Sequence, residues 1–79
     1  MDDVAKPIGK IIKRLRQEAE LSQEQLAHRA GIHRTYVSQI ERGDAEPSIF
    51  ILRKLGKALD KRAWELVRMW EQPGGNKPK

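Results

Sequence analysis

The side chains best suited to chemistry in this chain are concentrated in one short stretch, His33-Arg34-Thr35-Tyr36-Val37-Ser38-Gln39. Every residue of it except Val37 carries a hydrogen-bonding side chain, and no acid interrupts the run. Such a set recognises rather than catalyses. There is no cysteine, and the two histidines, His28 and His33, stand five apart across a glycine, so one helical face does not hold both. A thiolate nucleophile is excluded and a metal site is not expected. No nucleophile–base set, paired carboxylates or glycine-rich phosphate loop is evident, so neither an enzyme nor a cofactor is expected. What the donors do suit is the major groove of double-stranded DNA, whose base edges present patterned acceptors between phosphate rims.

At 100° per residue, a helix through this stretch puts Val37, Ile40 and Glu41 on one side. Arg34, Thr35, Ser38 and Gln39 collect on the other, with His33 at the entrance and Tyr36 at the flank. Arg34 can fork onto guanine, Gln39 can pair with adenine, and Thr35 can touch a thymine methyl. These three are the expected base contacts. Tyr36, Ser38, His33 and Arg42 are expected along the DNA backbone. The competing reading is an ordinary solvated helix, but that would mix Glu with Lys and favour strong helix formers. Thr35, Tyr36 and Ser38 are weaker formers, which points to a service other than local stability.

Two short helices must position that face. Ser22 can cap the first of them, with Gln25 three residues on completing a capping box and Leu21 and Leu26 forming a hydrophobic staple. Ala27 and Ala30 are small where another helix must approach. Gly31 supplies the left-handed stop. The device repeats at once: Ile32 precedes His33 at the N-cap position, Val37 stands where a staple partner belongs, and Gly43 ends the second helix. Helices over about 23–30 and 34–42 joined by a glycine turn make a helix-turn-helix. Gln23 opens the first of them, where free N–H groups and the positive dipole end favour a phosphate; its alternative is plain solvent exposure. Glu41, on the inner side beside Ile40, would be costly there alone. Arg16 is its expected partner in a partly buried structural ion pair.

The rest of the chain reads as support. Residues 1–6 look like a flexible lead-in, and Pro7 suits the first turn of a helix. Ile8, Ile11, Ile12 and Leu15 give a helix over about 8–20 one apolar stripe, with Lys10, Lys13 and Arg14 on its other faces. Ser48 starts a helix over about 49–59, with Leu52, Leu55 and Leu59 inward and Ile49 and Ala58 beside them. Gly56 in its middle implies close helix contact. Asp60 can cap a last helix over about 62–71, in which Leu66, Val67 and Trp70 should face inward. Residues 72–79 contain no apolar side chain and read as disordered. The architecture is therefore all-α, one domain of five helices over residues 7–71.

These residues resemble the Cro/CI-type (XRE) helix-turn-helix family, which includes lambda-type phage repressors and restriction–modification controller proteins. The resemblance lies in Ile8-Gly9, Leu15-Arg16, LSQEQLAHRAG at 21–31, RTYVSQIERG at 34–43, Pro47-Ser48 and the Leu52/Leu55/Leu59 ladder. It spans about residues 7–70. It implies a lambda repressor-like fold, a phosphate contact at Gln23, base contacts at Arg34, Thr35 and Gln39, and a buried Arg16–Glu41 pair. The Arg34-Thr35-Tyr36 triplet is most similar to the controller proteins. Acidic Asp44 and Glu46 argue against a DNA contact from the loop that follows.

Length and charge set the remaining expectations. With 79 residues, 16 basic against 11 acidic and a net charge of +5, the chain suits one small domain compatible with nucleic acid. No apolar run is long enough for a transmembrane segment, and the acidic start MDDVAK does not fit a signal peptide, so a cytoplasmic location without membrane contact is the default. One small reading head spans too few base pairs to select a site, so a homodimer on a palindromic operator is expected. Trp64, Val67, Met69 and Trp70 are the candidates for its interface, against the alternative that both tryptophans merely close the core. No small-molecule ligand is evident. The combined reading is a transcriptional regulator, a repressor or controller-type autoregulator. Its rivals are the DNA-binding antitoxin of a toxin–antitoxin pair and a helical protein-interaction module that does not touch DNA.

Overall fold

Five helices follow one another in the computed structural model, which describes residues 8–71: α1 Ile8–Glu18, α2 Gln23–Ala30, α3 Arg34–Arg42, α4 Ile49–Ala58 and α5 Ala63–Glu71. No strand occurs among the described residues. The lead-in, Pro7 and the tail after Glu71 lie outside them. α3 packs on α1 and α2, α2 on α4, α4 on α5, and α5 back on α1, which closes the bundle into a ring. Its centre is filled by Ile12, Leu26, Val37, Ile40, Leu55 and Leu66, all almost fully buried. No helix among the described residues is long and apolar enough to cross a membrane.

The α2–α3 unit is fixed by local caps and a glycine turn. Ser22 Oγ accepts from the Gln25 N–H at 3.0 Å, and Gln25 Oε1 accepts from the Ser22 N–H at 2.8 Å, so two orphan donors are satisfied reciprocally. The staple residues Leu21 and Leu26 are both buried. Gly31 sits at φ +71° and ends α2, while the Ile32 N–H reaches back to the Ala27 carbonyl at 3.0 Å. A Cβ at Gly31 would meet nothing within 4 Å, so the backbone angle, not crowding, demands glycine there. Gly9 presents the opposite case. A Cβ on it would lie 1.8 Å from the Ile40 carbonyl oxygen, so only a bare backbone lets α1 and α3 approach this closely.

Several sequence expectations are corrected. α1 stops at Glu18, two residues short of the expected Glu20, because Glu20 turns into the left-handed region at φ +61°. The Leu21 N–H then bonds the Arg16 carbonyl at 3.0 Å, closing the helix as a glycine would. Asp60 does not cap α5. It also adopts φ +61° and terminates α4, with the Lys61 N–H on the Gly56 carbonyl at 2.7 Å. α4 accordingly ends at Ala58 and α5 begins at Ala63, each one residue inside its expected bound. The start of α5 is secured instead by Glu65, whose carboxylate accepts from the Arg62 N–H at 2.7 Å. The close contact of Gly56 is chiefly with the α4–α5 loop: a Cβ there would fall 2.7 Å from the Lys61 carbonyl oxygen. Ile49, expected beside the core, is 58% exposed. Val67 and Trp70 are half-buried, leaving Leu66 as the one fully buried side chain of α5.

Candidate nucleic-acid interface

α3 has two unlike faces because its apolar residues recur at helical spacing. Val37 and Ile40 anchor it in the core, and the carboxylate of Glu41 is buried beside them. On the other side His33, Arg34, Thr35 and Gln39 are exposed, with Tyr36 and Ser38 half-buried at the edges. The side chains of Arg34, Thr35 and Gln39 have no hydrogen-bond partner among the described residues. They are held by their helix and left unspent.

His33 caps this helix. Its Nδ1 accepts from the Thr35 N–H at 3.1 Å, which requires an unprotonated Nδ1 and places the ring hydrogen on Nε2. The exposed ring therefore offers an outward donor beside Arg34. Ser38 and Arg42 are coupled: an Arg42 N–H donates to Ser38 Oγ, while Arg42 Nε donates to Asp44 Oδ2 at 2.9 Å. The positive charge of Arg42 is thus matched by a neighbouring carboxylate, and any phosphate must compete with Asp44 for it.

Beneath the face lies a polar knot joining three elements. Arg16 Nε donates to Glu41 Oε2 at 2.7 Å, and Arg16 Nη2 to Glu41 Oε1 at 3.0 Å, a forked pair. Arg16 Nη1 donates to the Leu21 carbonyl at 2.8 Å. The hydrogen bond and charge of Glu41 hold the Arg16 pKa above its ordinary value against the opposing effect of burial. The ion pair therefore persists at all but strongly alkaline pH so far as Arg16 is concerned. Gln23 joins the knot from the first residue of α2, its Nε2 donating to Glu41 Oε1 at 3.0 Å. That third member was not legible in the sequence, where Gln23 reads as a phosphate contact or a solvent-exposed helix start and not as a partner of Glu41.

Of the four residues expected at a subunit interface, Trp64 is 57% exposed and lines an open groove between α4 and α5 together with Val67 and Ile49. Met69 faces another way, its sulfur accepting from Arg14 Nη2 of α1 at 3.8 Å, and Trp70 is half-buried. The structure adds Phe50, 70% exposed, and Ile49 to the apolar surface. A signal for both was present: four consecutive apolar residues, Ile49 to Leu52, cannot all face one core from a helix.

The comparisons with known proteins agree on this arrangement. A helix-turn-helix family model (HTH_3) matches residues 12–63. This chain belongs to the helix-turn-helix family of HTH_3, XRE type. It is 38% identical over 65 residues to the transcriptional regulator y4dJ of Sinorhizobium fredii, covering 82% of this chain and 84% of that one. Other curated relatives are longer; the chain spans 36% of two Mycobacterium tuberculosis regulators. Among solved structures it is similar to the restriction–modification controller protein C.AhdI of Aeromonas hydrophila, with a TM-score of 0.73 and 40% identity over 76% of this chain and 91% of that one. It is equally similar to SinR, a master regulator for biofilm formation solved in complex with DNA, at a TM-score of 0.72 and 39% identity over 76% and 97%. The chain is thus an XRE-type transcriptional regulator with a helix-turn-helix DNA-binding domain.

Proposed function

We propose that this chain is a sequence-specific regulator, a repressor or controller-type autoregulator, that binds a palindromic operator as a homodimer with α3 in the major groove. The observation that carries this reading is the outer face of α3, where Arg34, Thr35 and Gln39 stand exposed and unpartnered on a helix whose other side is locked into the core. Arg34, Thr35 and Gln39 contact bases. Gln23, Tyr36, Ser38, His33 and Arg42 follow the backbone. The likeness to a controller protein and to a regulator solved on DNA supports the assignment.

The second subunit joins at the α4–α5 surface. Ile49 and Trp64 are large, exposed and line one groove between α4 and α5, with exposed Phe50 next to Ile49 in the chain, and adjoining exposed apolar side chains mark an interaction surface. Relative to the expected set, Ile49 and Phe50 enter and Met69, turned toward α1, leaves. The test is selection of a duplex from a random pool followed by footprinting. Two protected half-sites about one helical turn apart are expected. Trp64→Glu should shift sedimentation to the monomer and abolish paired protection while circular dichroism keeps its helical signal. A single unpaired footprint, or a Trp64→Glu variant that stays dimeric, overturns the dimer assignment.

A further inference from the structure

Glu41 does more than balance Arg16. Its Oε1 accepts two hydrogen bonds, from Arg16 Nη2 and from Gln23 Nε2, each at 3.0 Å. The side chain of Glu41 is only 3% exposed, so this oxygen faces protein and not water. An ionised carboxylate only accepts, so it must face the nitrogen of the Gln23 amide; the flipped amide would set oxygen against oxygen. Glu41 therefore dictates which end of that amide points inward. One amide hydrogen and Oε1 of Gln23 remain on the outer side. Beside them, the backbone N–H groups of Gln23 and Glu24 have no protein acceptor among the described residues, since Ser22 Oγ serves Gln25.

We propose that Glu41 is a positioning residue for the phosphate grip, holding the Gln23 amide so that its outer N–H and the first N–H groups of α2 converge on one DNA phosphate. The inference rests on the assignment of Gln23 to the DNA backbone made above. The Glu41 contact also adds to the direct packing of α3 on α2 a hydrogen bond from the gripping amide to the reading helix. With Glu41 withdrawn, the amide must be ordered at the moment of binding. That cost corresponds to about three- to tenfold in affinity, independent of base sequence.

The test is a double-mutant cycle on DNA affinity with Glu41→Asp and Gln23→Ala, measured on a selected duplex and on an unrelated one. Glu41→Asp keeps the charge that Arg16 requires and retracts the carboxylate by one methylene. It should weaken both duplexes by the same three- to tenfold factor, and should add nothing in the Gln23→Ala background. Losses that multiply in the double variant show that Glu41 acts through general packing and overturn the proposal, as does unchanged affinity of Glu41→Asp. The free wild-type chain gives a readout that survives any folding failure of the variants. The order parameter of the Gln23 side-chain amide should approach that of rigid backbone, about 0.85, and a value below about 0.6 overturns the proposal. If the wild-type chain binds no duplex in a salt-dependent manner, the DNA-binding reading itself fails; if it binds and the cycle shows no coupling, only the role of Glu41 fails.

Discussion

Arg16 illustrates how a buried charge is made tolerable. Three of its five N–H donors are engaged, two by Glu41 and one by the Leu21 carbonyl, so each guanidinium nitrogen has a partner. Removing one partner strands the other. Arg16→Met should destabilise the domain by about 3–5 kcal/mol, because Glu41 stays buried with only Gln23 to meet it. The double variant Arg16→Met/Glu41→Leu should recover most of that loss, since an apolar pair of similar volume needs no desolvation. Urea denaturation of the three chains decides the matter; a double variant less stable than Arg16→Met contradicts this account. The pairing of Arg16 with Glu41 was legible from one fact, an acid on the inner side of an amphipathic helix. The place of Gln23 in the same knot was not, because an amide beside a helix start carries no sign of the direction it bends.

At the scale of the element, what could be read depended on whether the signal was local. The bounds of α2 and α3 follow from Ser22, Gln25, Gly31 and Gly43, residues whose preferences are intrinsic to their own backbones. The ends of α1 and α4 do not, because Glu20 and Asp60 occupy left-handed positions that glycine usually marks. The strain is about 1–2 kcal/mol at Glu20 and smaller at Asp60, since a short aspartate tolerates this conformation. Glu20→Gly should therefore raise stability by about 0.5–1 kcal/mol, the relief of strain being partly offset by the greater freedom of glycine in the unfolded chain. Gly31→Ala should do the reverse by about 1 kcal/mol, although space for the methyl group is open. For a domain of this size, each kcal/mol moves the melting temperature by roughly 4–8 °C, so thermal unfolding resolves both signs. A Glu20→Gly variant that melts lower than wild type removes the strain argument.

For the whole molecule, apolarity in the sequence argues burial only in one direction. Ile49, expected beside the core, proves to be surface once the five helices are closed into a ring, as do Phe50 and the interface candidate Trp64. The ring also separates tasks. The face of α3 carries the unspent donors, the knot of Arg16, Glu41 and Gln23 sits behind it, and the exposed apolar side chains lie on α4 and α5. Gly9 shows how global closure acts on a single position: its lack of a side chain matters only because the α3 backbone passes against it. The central claim is that α3 reads bases while α2 holds the backbone. It is tested most directly by the affinities of Gln39→Ala and Gln23→Ala for a selected operator and its single-base variants. Gln39→Ala should lose about 1–3 kcal/mol on the preferred base and become indifferent at that position. Gln23→Ala should weaken every duplex alike. Equal, sequence-blind losses for both variants would contradict the claim.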